Sequence, residues 1–501
     1  MKKIFYLALT CLFLSSCSKW LEVLPSNEQV KEDYWKTKEQ VEAAVGGCYR
    51  AMIEDNVMKG LIGFGELRGD NLLSSTNSDQ VRLLQCNIAT ETGLVKDVWG
   101  AVYAVIKNCN AVLAYADEAL KNDPSLTVDE LNAYKAEARA VRAYMYFFLV
   151  RNWRDVPLIL IPSDDDKQDF SVAKTSGDKV LEQIVKDLVA AKKDCMVNYD
   201  ELSESKYRIT KNACRAMLAE VYLWKQEYQK CLTECDEVLA SMKLLGLELA
   251  ESETMARDIF YTGYSTESIW ELAFSNTGKK NNQLGDIFGQ GSKTPQWTVN
   301  TPHILQKFEN GETTTDSRLK YSINMNTTRS VIKYLCSVCQ DLDNPTETSK
   351  YTYSLRAESS TANWIVYRLP DIYLMKAEAL VELEGAAKTV LELVNITYGR
   401  ANPGYDLLKE EDYSGQEALR KLVLTERQRE FLFEGKRWFD LLRTARRLEN
   451  DPTVILDEVS DLLPTLNQNM MTDPNAWFLP IPFEDIQRSH GVLVQNPFYE
   501  D

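Results

Sequence analysis

The sequence predicts a mainly α-helical protein, built as a tetratricopeptide-like helical repeat scaffold with an irregular, loop-rich part that binds ligand. Three observations support this fold class. Apolar residues recur every three or four positions over long stretches, and one stretch has the apolar spacing of a 34-residue tetratricopeptide repeat. A region rich in Asn, Gly, Ser and Thr then interrupts the helical pattern. With 45% hydrophobic residues among 501, the chain can bury a large core.

The clearest repeat covers residues 210–240. Its apolar residues fall at the offsets of the tetratricopeptide pattern: Leu218, Ala219, Tyr222, Tyr228, Cys231, Cys235 and Val238. Cys231 and Cys235 lie one helical turn apart, where the repeat needs compact side chains, so core packing explains them better than metal ligation. Residues 377–397 repeat the pattern with Gly385 at the turn, and 99–120 form a more degenerate pair. A further helix is predicted over Leu422–Arg443.

These patterns divide the chain into a signal peptide and one body. The signal is residues 1–16 and the body is 17–501. Within the body, the helical scaffold is mainly 38–60, 94–243 and 368–445, and the loop-rich ligand-binding part is mainly 61–93 and 244–360. The alternation in 266–274 predicts one short strand inside the second loop-rich range.

The N-terminus carries an export and anchoring signal. Lys2 and Lys3 precede an apolar run from Ile4 to Leu14, and Leu14-Ser15-Ser16-Cys17 has the pattern of a bacterial lipobox. Cys17 is therefore the predicted lipid attachment site, and the run of 11 apolar residues is too short to span a bilayer. The alternative is a soluble exported protein cleaved after Ser16.

Charge and cysteine usage exclude some functions. The net charge of −17, which becomes −19 when Lys2 and Lys3 leave with the signal, repels phosphate backbones, so nucleic acid is not an expected partner. Nine cysteines remain in the body after Cys11 and Cys17, and their odd number and irregular spacing do not predict a disulfide framework. Cys336 and Cys339 form a single CxxC, interpreted as a loop disulfide or two free thiols and not as a metal site.

The sequence predicts no catalytic function. His303 and His490 are the only histidines, and no HExxH, GxSxG, Walker A or GxGxxG motif is present. No cofactor or metal is expected. A glycoside hydrolase remains an alternative because it needs only two carboxylates among 74 acidic residues. A tetratricopeptide scaffold that binds only protein is a second alternative.

Candidate ligand residues lie in the loop-rich part. Sugar recognition uses aromatic faces together with amides and carboxylates that pair with hydroxyls. Trp297 is the first choice for a stacking platform because it lies among Thr and Asn residues and in no helical stripe. Asp70 and Asn71 are the expected hydroxyl partners. The remaining candidates are Phe274, Asn276 and Tyr321. For each aromatic taken alone, burial under its own loop is an equally good explanation.

Several stretches together resemble the SusD/RagB family of outer-membrane nutrient-binding lipoproteins, in order and spacing from Cys17 to the C-terminus. The matching stretches are 17–25, 137–158, 208–223, 368–380, 426–441, 480–482 and 495–497. The most specific are Glu426-Arg427-Gln428-Arg429-Glu430-Phe431-Leu432-Phe433-Glu434-Gly435-Lys436-Arg437-Trp438-Phe439-Asp440-Leu441 and Asp371-Ile372-Tyr373-Leu374-Met375-Lys376-Ala377-Glu378-Ala379. Two residues depart from the family pattern: Lys19 replaces a frequent acidic residue and Phe498 replaces a glycine.

The resemblance implies a helical body with four tetratricopeptide-like units and a lipid anchor in the outer membrane, facing outward. It also implies a SusC-like TonB-dependent transporter as partner, to which the protein delivers captured oligosaccharide or peptide. The shared residues Glu434, Arg437, Trp438 and Asp440 are expected to build helix contacts and buried polar networks. Ligand residues differ between family members, so the resemblance does not supply them.

Overall fold

A computed structural model describes most of the chain. It describes residues 34–74, 78–163, 171–274, 282–289, 296–308, 315–326, 330–346, 349–356 and 361–500. The predicted signal peptide, Cys17 and the candidate Asn276 lie outside the described residues.

The described chain is mainly α-helical, as predicted. Its α-helices are α1 Lys38–Met52, α2 Asp55–Glu66, α3 Ser78–Leu84, α4 Gly93–Tyr115, α5 Asp117–Asn122, α6 Val128–Trp153, α7 Gly177–Asp194, α8 Glu204–Tyr207, α9 Lys211–Trp224, α10 Tyr228–Leu244, α11 Leu284–Phe288, α12 Thr301–Lys307, α13 Ser317–Ser322, α14 Leu369–Glu382, α15 Ala387–Ala401, α16 Gly415–Glu430, α17 Arg437–Arg447, α18 Thr453–Val459, α19 Thr465–Met470 and α20 Phe483–Arg488. One π-helical turn covers Ala256–Thr262.

Threonine side chains cap the N-termini of α1, α6 and α9. Thr37 before α1 and Thr127 before α6 each accept a hydrogen bond from the backbone N–H three residues later, and Gln40 and Glu130 return the bond to the cap. Thr210 caps α9 through the N–H of Ala213. These bonds satisfy N–H groups that have no partner inside the helix.

The predicted repeat over 210–240 is confirmed as a helix pair. α9 and α10 pack against each other, and α10 also packs on α14, the first helix of the second predicted pair. Cys231 and Cys235 are fully buried in α10, which confirms their core placement. Gly385 lies in the turn between α14 and α15, as predicted.

The predicted helix over Leu422–Arg443 is interrupted. α16 ends at Glu430 and α17 begins at Arg437, and Phe433 and Gly435 between them have positive φ values of 65° and 74°. Gly435 approaches α2 so closely that a Cβ on Gly65 would overlap the Gly435 carbonyl group. A contact between residues so far apart in the chain is not encoded in helical periodicity.

The strands form small antiparallel ribbons. They are β1 Leu72–Ser74, β2 Val156–Pro157, β3 Lys174–Thr175, β4 Ser268–Leu272, β5 Trp297–Val299, β6 Cys336–Asp341, β7 Tyr351–Leu355 and β8 Trp364–Arg368. Within the described ranges they pair as β1–β5, β2–β3, β4–β8 and β6–β7. The strand predicted in 266–274 is confirmed as β4, which is buried along its whole length beside β8.

Part of the predicted loop at 61–93 is helical. α2 continues to Glu66 through Gly63 and Gly65, and α3 covers Ser78–Leu84. Gly60 and Gly65 lie where α2 meets Val98 and the Gly435 backbone, so these glycines permit close packing and do not form a loop. The division into scaffold and ligand-binding part otherwise stays a prediction.

Candidate functional site

A two-stranded ribbon positions Trp297, the first-choice candidate, against the protein core. β1 pairs with β5 so that Ser74 lies opposite Trp297 and Leu73 opposite Thr298. Successive side chains of a strand point to opposite faces. Trp297 and Val299 are accordingly buried, whereas Thr298 is exposed. The ribbon therefore has an inner face in the core and an outer face in solvent.

Trp297 belongs to the inner face. It is 2% exposed, and its ring meets the ring of Phe288 edge-on at a centroid distance of 6.1 Å. It also lies against α2, where a Cβ added to Gly63 would sit 3.4 Å from the indole. A ring this buried cannot stack on a sugar, so the prediction of Trp297 as a stacking platform is wrong. Trp297 fixes the ribbon to the core.

Asp70 is buried at the centre of a charged cluster just before β1. Its carboxylate accepts hydrogen bonds from Arg437 at 2.6 and 2.8 Å, from Gln428 at 2.9 Å and from His303 at 2.5 Å. Glu458 extends the cluster, 3.5 Å from the His303 ring and 3.2 Å from Arg437. With 0% exposure and all these donors, Asp70 is not accessible to a sugar hydroxyl, contrary to the prediction.

Asn71 is buried in the same layer. Its amide donates to Glu66 at 3.1 Å and accepts from Gln428 at 2.9 Å, and its backbone carbonyl accepts the N–H of Asn300 at 3.0 Å. The expectation that Asn71 contacts ligand is therefore wrong as well. Asp70 and Asn71 do lie together, as expected for one site. They support the ribbon from its buried side and do not face solvent.

The cluster shifts the ionisation of its members. Burial alone would raise the pKa of Asp70, but attraction to Arg437 and the hydrogen bond from His303 hold it well below its usual range. Burial would lower the pKa of His303, yet its bonds to Asp70 and Glu458 raise it to about 9. Burial raises the pKa of Glu66 to about 7 despite bonds from Asn71 and the Gly435 N–H.

We expect the stabilising contribution of His303 to be lost at alkaline pH. Its folded-state pKa lies above the unfolded value of 6.5, so its contribution is fully present below pH 6.5 and is lost as the pH rises through about 9. The difference in unfolding free energy between wild type and His303→Gln should shrink by about 3 kcal/mol between pH 6 and pH 10. Urea denaturation at both pH values measures it. A difference that does not change with pH would show that His303 is not held protonated.

The remaining candidates separate into buried and half-buried residues. Phe274 is 5% exposed, and its N–H donates to Asn363 at 3.1 Å at the end of β4, so its ring is not available for stacking. Tyr321 in α13 is half-buried, with Lys320 Nζ 5.7 Å from its ring centroid. Of the candidates in the described part of the chain, Tyr321 alone keeps an accessible ring.

The outer face of the ribbon presents polar side chains that the sequence argument did not select. Gln296 and Thr298 are exposed on the strand that buries Trp297. Gln80 of α3 donates to Gln296 at 3.3 Å and accepts a hydrogen bond from the buried hydroxyl of Ser74 at 3.1 Å. Planar amides and hydroxyls on a fixed backbone can pair with sugar hydroxyls. The polar and apolar alternation from Gln296 to Asn300 was the signal for this arrangement.

A second buried cluster joins the strands to the helices. Arg368, at the end of β8, donates to Glu267 at 2.9 Å and to Glu434 at 2.7 and 3.0 Å, and it also bonds Glu430. Glu430 in turn accepts from Arg318 at 2.9 Å. Charged residues in the run from α16 to α17 thus form structural ion pairs.

The scaffold role expected for that run is confirmed. Glu434, Arg437 and Asp440 are each at most 3% exposed and ion-paired, and Trp438 is fully buried under the guanidinium of Arg68 at 4.0 Å.

A cavity of about 830 Å³ lies elsewhere, between α4, residues 157–163 and residues 485–493. Its walls include the rings of Trp99 and Tyr103, with Lys107 and Arg488 among the lining side chains. This volume is in the range of small-molecule sites. None of the predicted ligand residues lines it, and no sequence motif identified it.

The group Asp70, His303 and Glu458 also has the residue types of a metal site, with ligand atoms within 4.8 Å of one another. The group does not fit a cation. Arg437 and Lys307 already pair with the two carboxylates, and the raised pKa of His303 places a proton where a metal would need a lone pair. Cys336 and Cys339 lie on β6, and neither is in a disulfide.

The fold and the site define a class of helical-repeat protein whose loop-rich part is fastened to the scaffold by buried ion pairs. Comparison with known proteins agrees. The model of the SusD family matches residues 306–499, and a model described as starch-binding associating with outer membrane matches residues 19–223. The chain belongs to the SusD/RagB family.

Relatives and solved structures extend over nearly the whole chain. SusD-like protein P2 of Formosa agariphila is 27% identical, covering 97% of this chain and 98% of its own. A SusD-like protein of Bacteroides ovatus is 24% identical over 89% and 83%. A SusD superfamily protein from Bacteroides thetaiotaomicron has the same fold, with a TM-score of 0.73 at 21% identity over 93% and 99%. A structure titled putative sugar binding protein, from Bacteroides vulgatus, gives 0.70 at 20% identity over 93% and 100%.

Among the described residues, no helix combines the length and the apolar character needed to cross a bilayer.

Proposed function

We propose that the chain is a lipid-anchored outer-membrane protein that captures oligosaccharide at the cell surface and delivers it to a SusC-like TonB-dependent transporter. The observation that carries this proposal is the combination of the SusD-family scaffold, matched in both halves of the chain, with the lipobox that ends at Cys17. A family description that names starch binding and the outer membrane supports both the ligand class and the location.

The chain binds and does not cleave its ligand in this proposal. The carboxylates near the ribbon form ion pairs: Asp70 pairs with Arg437, and Glu458 pairs with Lys307. General acid catalysis needs a carboxylic acid that reaches the glycosidic oxygen, whereas Asp70 is fully buried. Glycoside hydrolysis and a purely protein-binding scaffold remain the alternatives that a glycan assay separates.

The outer face of the β1–β5 ribbon is the proposed glycan surface. Gln80, Gln296 and Thr298 supply amides and a hydroxyl, and Trp297 and Asp70 hold the backbone beneath them in place. A site whose supports are locked by packing loses little entropy on binding. Tyr321 remains a proposed stacking residue because its ring is half-exposed.

The ribbon surface predicts the effect of a single substitution. Gln296→Ala should weaken glycan binding about three- to tenfold, because hydrogen bonds worth about 1 kcal/mol are lost. The melting temperature should stay the same, since Gln296 is exposed. Isothermal titration calorimetry measures the change, with a polysaccharide that retards the wild-type protein in a native affinity gel.

Arg488→Ala is the matched control, because Arg488 is an exposed polar residue at the 830 Å³ cavity. It should leave affinity unchanged. If Arg488→Ala weakens binding and Gln296→Ala does not, the glycan binds in the cavity and the ribbon assignment is wrong.

The anchor predicts where the protein is found. Cys17→Ala should yield an unlipidated, soluble and mislocalised protein with an unchanged melting temperature, because a burial-driven core does not depend on its tether. Fractionation after a salt wash measures the distribution. Cys11→Ala is the control, since Cys11 lies inside the signal and its loss should leave the protein in the membrane fraction. A Cys17→Ala protein that stays wholly in the outer membrane would contradict the anchor.

A further inference from the structure

Two buried thiols from different helices face each other at the corner where α7 leads to α9. Cys195 directly follows α7 and Cys214 lies in the first turn of α9. Their sulfur atoms are 3.6 Å apart, and both are free thiols in this structure. We propose that the exported chain carries a disulfide bond between Cys195 and Cys214.

The surrounding backbone holds the two cysteines in position. The N–H of Lys211 donates to the carbonyl of Met196 at 2.8 Å. This bond joins the residue after Cys195 to the first residue of α9, three positions before Cys214. α7 and α9 also pack against each other. The sulfur atoms need to approach by about 1.5 Å to reach the bond length of a disulfide. Changes of side-chain rotamer at the two cysteines supply a movement of this size.

The other thiol pair in this repeat differs in one decisive respect. Cys231 and Cys235 are also fully buried, but both lie on α10, four residues apart. A bond between them would close a loop within one helical turn and would constrain nothing else. A bond between Cys195 and Cys214 closes the loop of residues 195–214, which contains α8 and Arg208, the ion-pair partner of Glu137 in α6. The pair on α10 is therefore the internal control.

The oxidant is a protein or low-molecular-weight disulfide. One cysteine thiolate attacks the oxidant, which forms a mixed disulfide and releases one oxidant thiol. The second cysteine thiolate then attacks the mixed disulfide, which forms the Cys195–Cys214 bond and releases the second oxidant thiol. The two cysteines lose two electrons, the oxidant disulfide gains them, and the two cysteine protons end on the oxidant thiols.

The burial of both thiols determines when the disulfide bond can form. The contact with Cys214, together with burial, raises the pKa of the Cys195 thiol, so the folded pair reacts slowly. Cys195 is 5% exposed and Cys214 is 0% exposed. The bond therefore forms while the chain folds after export, before α9 closes on α7. This inference rests on the proposed export, because disulfides persist in oxidising compartments and not in the cytosol.

Peptide mapping tests the bond directly. Protein from the membrane fraction is unfolded in N-ethylmaleimide without reductant and is digested with trypsin. Cleavage after lysine and arginine places Cys195 in peptide 194–206 and Cys214 in peptide 212–215. We expect these two peptides linked, 2 Da lighter than their sum, and separated by dithiothreitol.

Cys195→Ser/Cys214→Ser should lose the linked peptides and melt about 2 to 6 °C lower than the oxidised wild type. Cys231→Ser/Cys235→Ser should keep the linked peptides. Recovery of both wild-type peptides fully alkylated, or linkage of Cys195 to another cysteine, would overturn the proposal.

The same map separates this proposal from the proposal of export. If the protein is found only in the cytoplasmic fraction, export fails, and the purified chain refolded in oxidised and reduced glutathione decides the pairing. Linked peptides in that buffer support it, and alkylated peptides at every glutathione ratio overturn it.

Discussion

Replacement of Arg368 by leucine is expected to lower the free energy of unfolding by about 3 to 5 kcal/mol. Arg368 is 1% exposed and is bonded to Glu267, Glu430 and Glu434, all of them buried. Its removal leaves these carboxylates with less positive charge and no access to water. The cost of leaving these buried carboxylates without their cation exceeds the free energy gained by burying a leucine side chain.

Urea denaturation measures the effect, and Arg257→Leu is the matched control. Arg257 forms an ion pair with Asp258 on the surface, where both side chains are more than a third exposed, and such pairs contribute little. Arg257→Leu should therefore leave stability unchanged. An Arg368→Leu protein as stable as the control would show that the buried cluster does not hold β8 to α16.

Trp297→Ala is expected to destabilise the protein by about 3 to 5 kcal/mol, the usual cost of removing a buried aromatic side chain. The indole fills the space between the ribbon, α2 and Phe288, and its loss leaves a cavity that the ribbon backbone cannot close. Glycan affinity should fall only to the extent that the protein unfolds or the ribbon shifts.

Thr298→Ala is the control for this substitution. Thr298 is the next residue on β5 and points to the outer face, so its loss should leave the melting temperature nearly unchanged. If Trp297→Ala melts with wild type and loses glycan binding, Trp297 is a ligand residue and the inner-face assignment is wrong.

Helical repeats were predictable because their signal is local. The spacing from Leu218 to Val238 specifies two packed helices, and Cys231 and Cys235 are buried in the second of them. The alternation around Trp270 specified β4 in the same way. In each case the residues that decide the structure lie within one or two turns of each other.

The candidate site was less predictable because its partners are distant in sequence. Asp70 accepts hydrogen bonds from Arg437 and Gln428, and no sequence pattern around Asp70 predicts these distant partners. A polar residue in a loop-like segment suggests a ligand contact, but in the fold Arg437 of the distant helix α17 neutralises Asp70 in the core. Gly435 interrupts the predicted helix for a similar reason, since it meets Gly65 of α2.

For Trp297 the local sequence does carry a signal of burial. The alternation of Gln296, Trp297, Thr298, Val299 and Asn300 has the period of a strand with one buried face. Large rings in such a strand pack inward when the opposite face is polar. The same alternation identifies Gln296 and Thr298 as the residues that reach solvent.

The central claim is that the mature chain binds a glycan without cleaving it. The most direct measurement runs the purified mature protein through native gels that each contain one polysaccharide, and assays the same mixtures for new reducing ends. The proposed function predicts retardation by at least one polysaccharide, relief of that retardation by the matching free oligosaccharide, and no reducing ends above background. Sustained release of reducing ends, or unretarded migration in every polysaccharide, would contradict it.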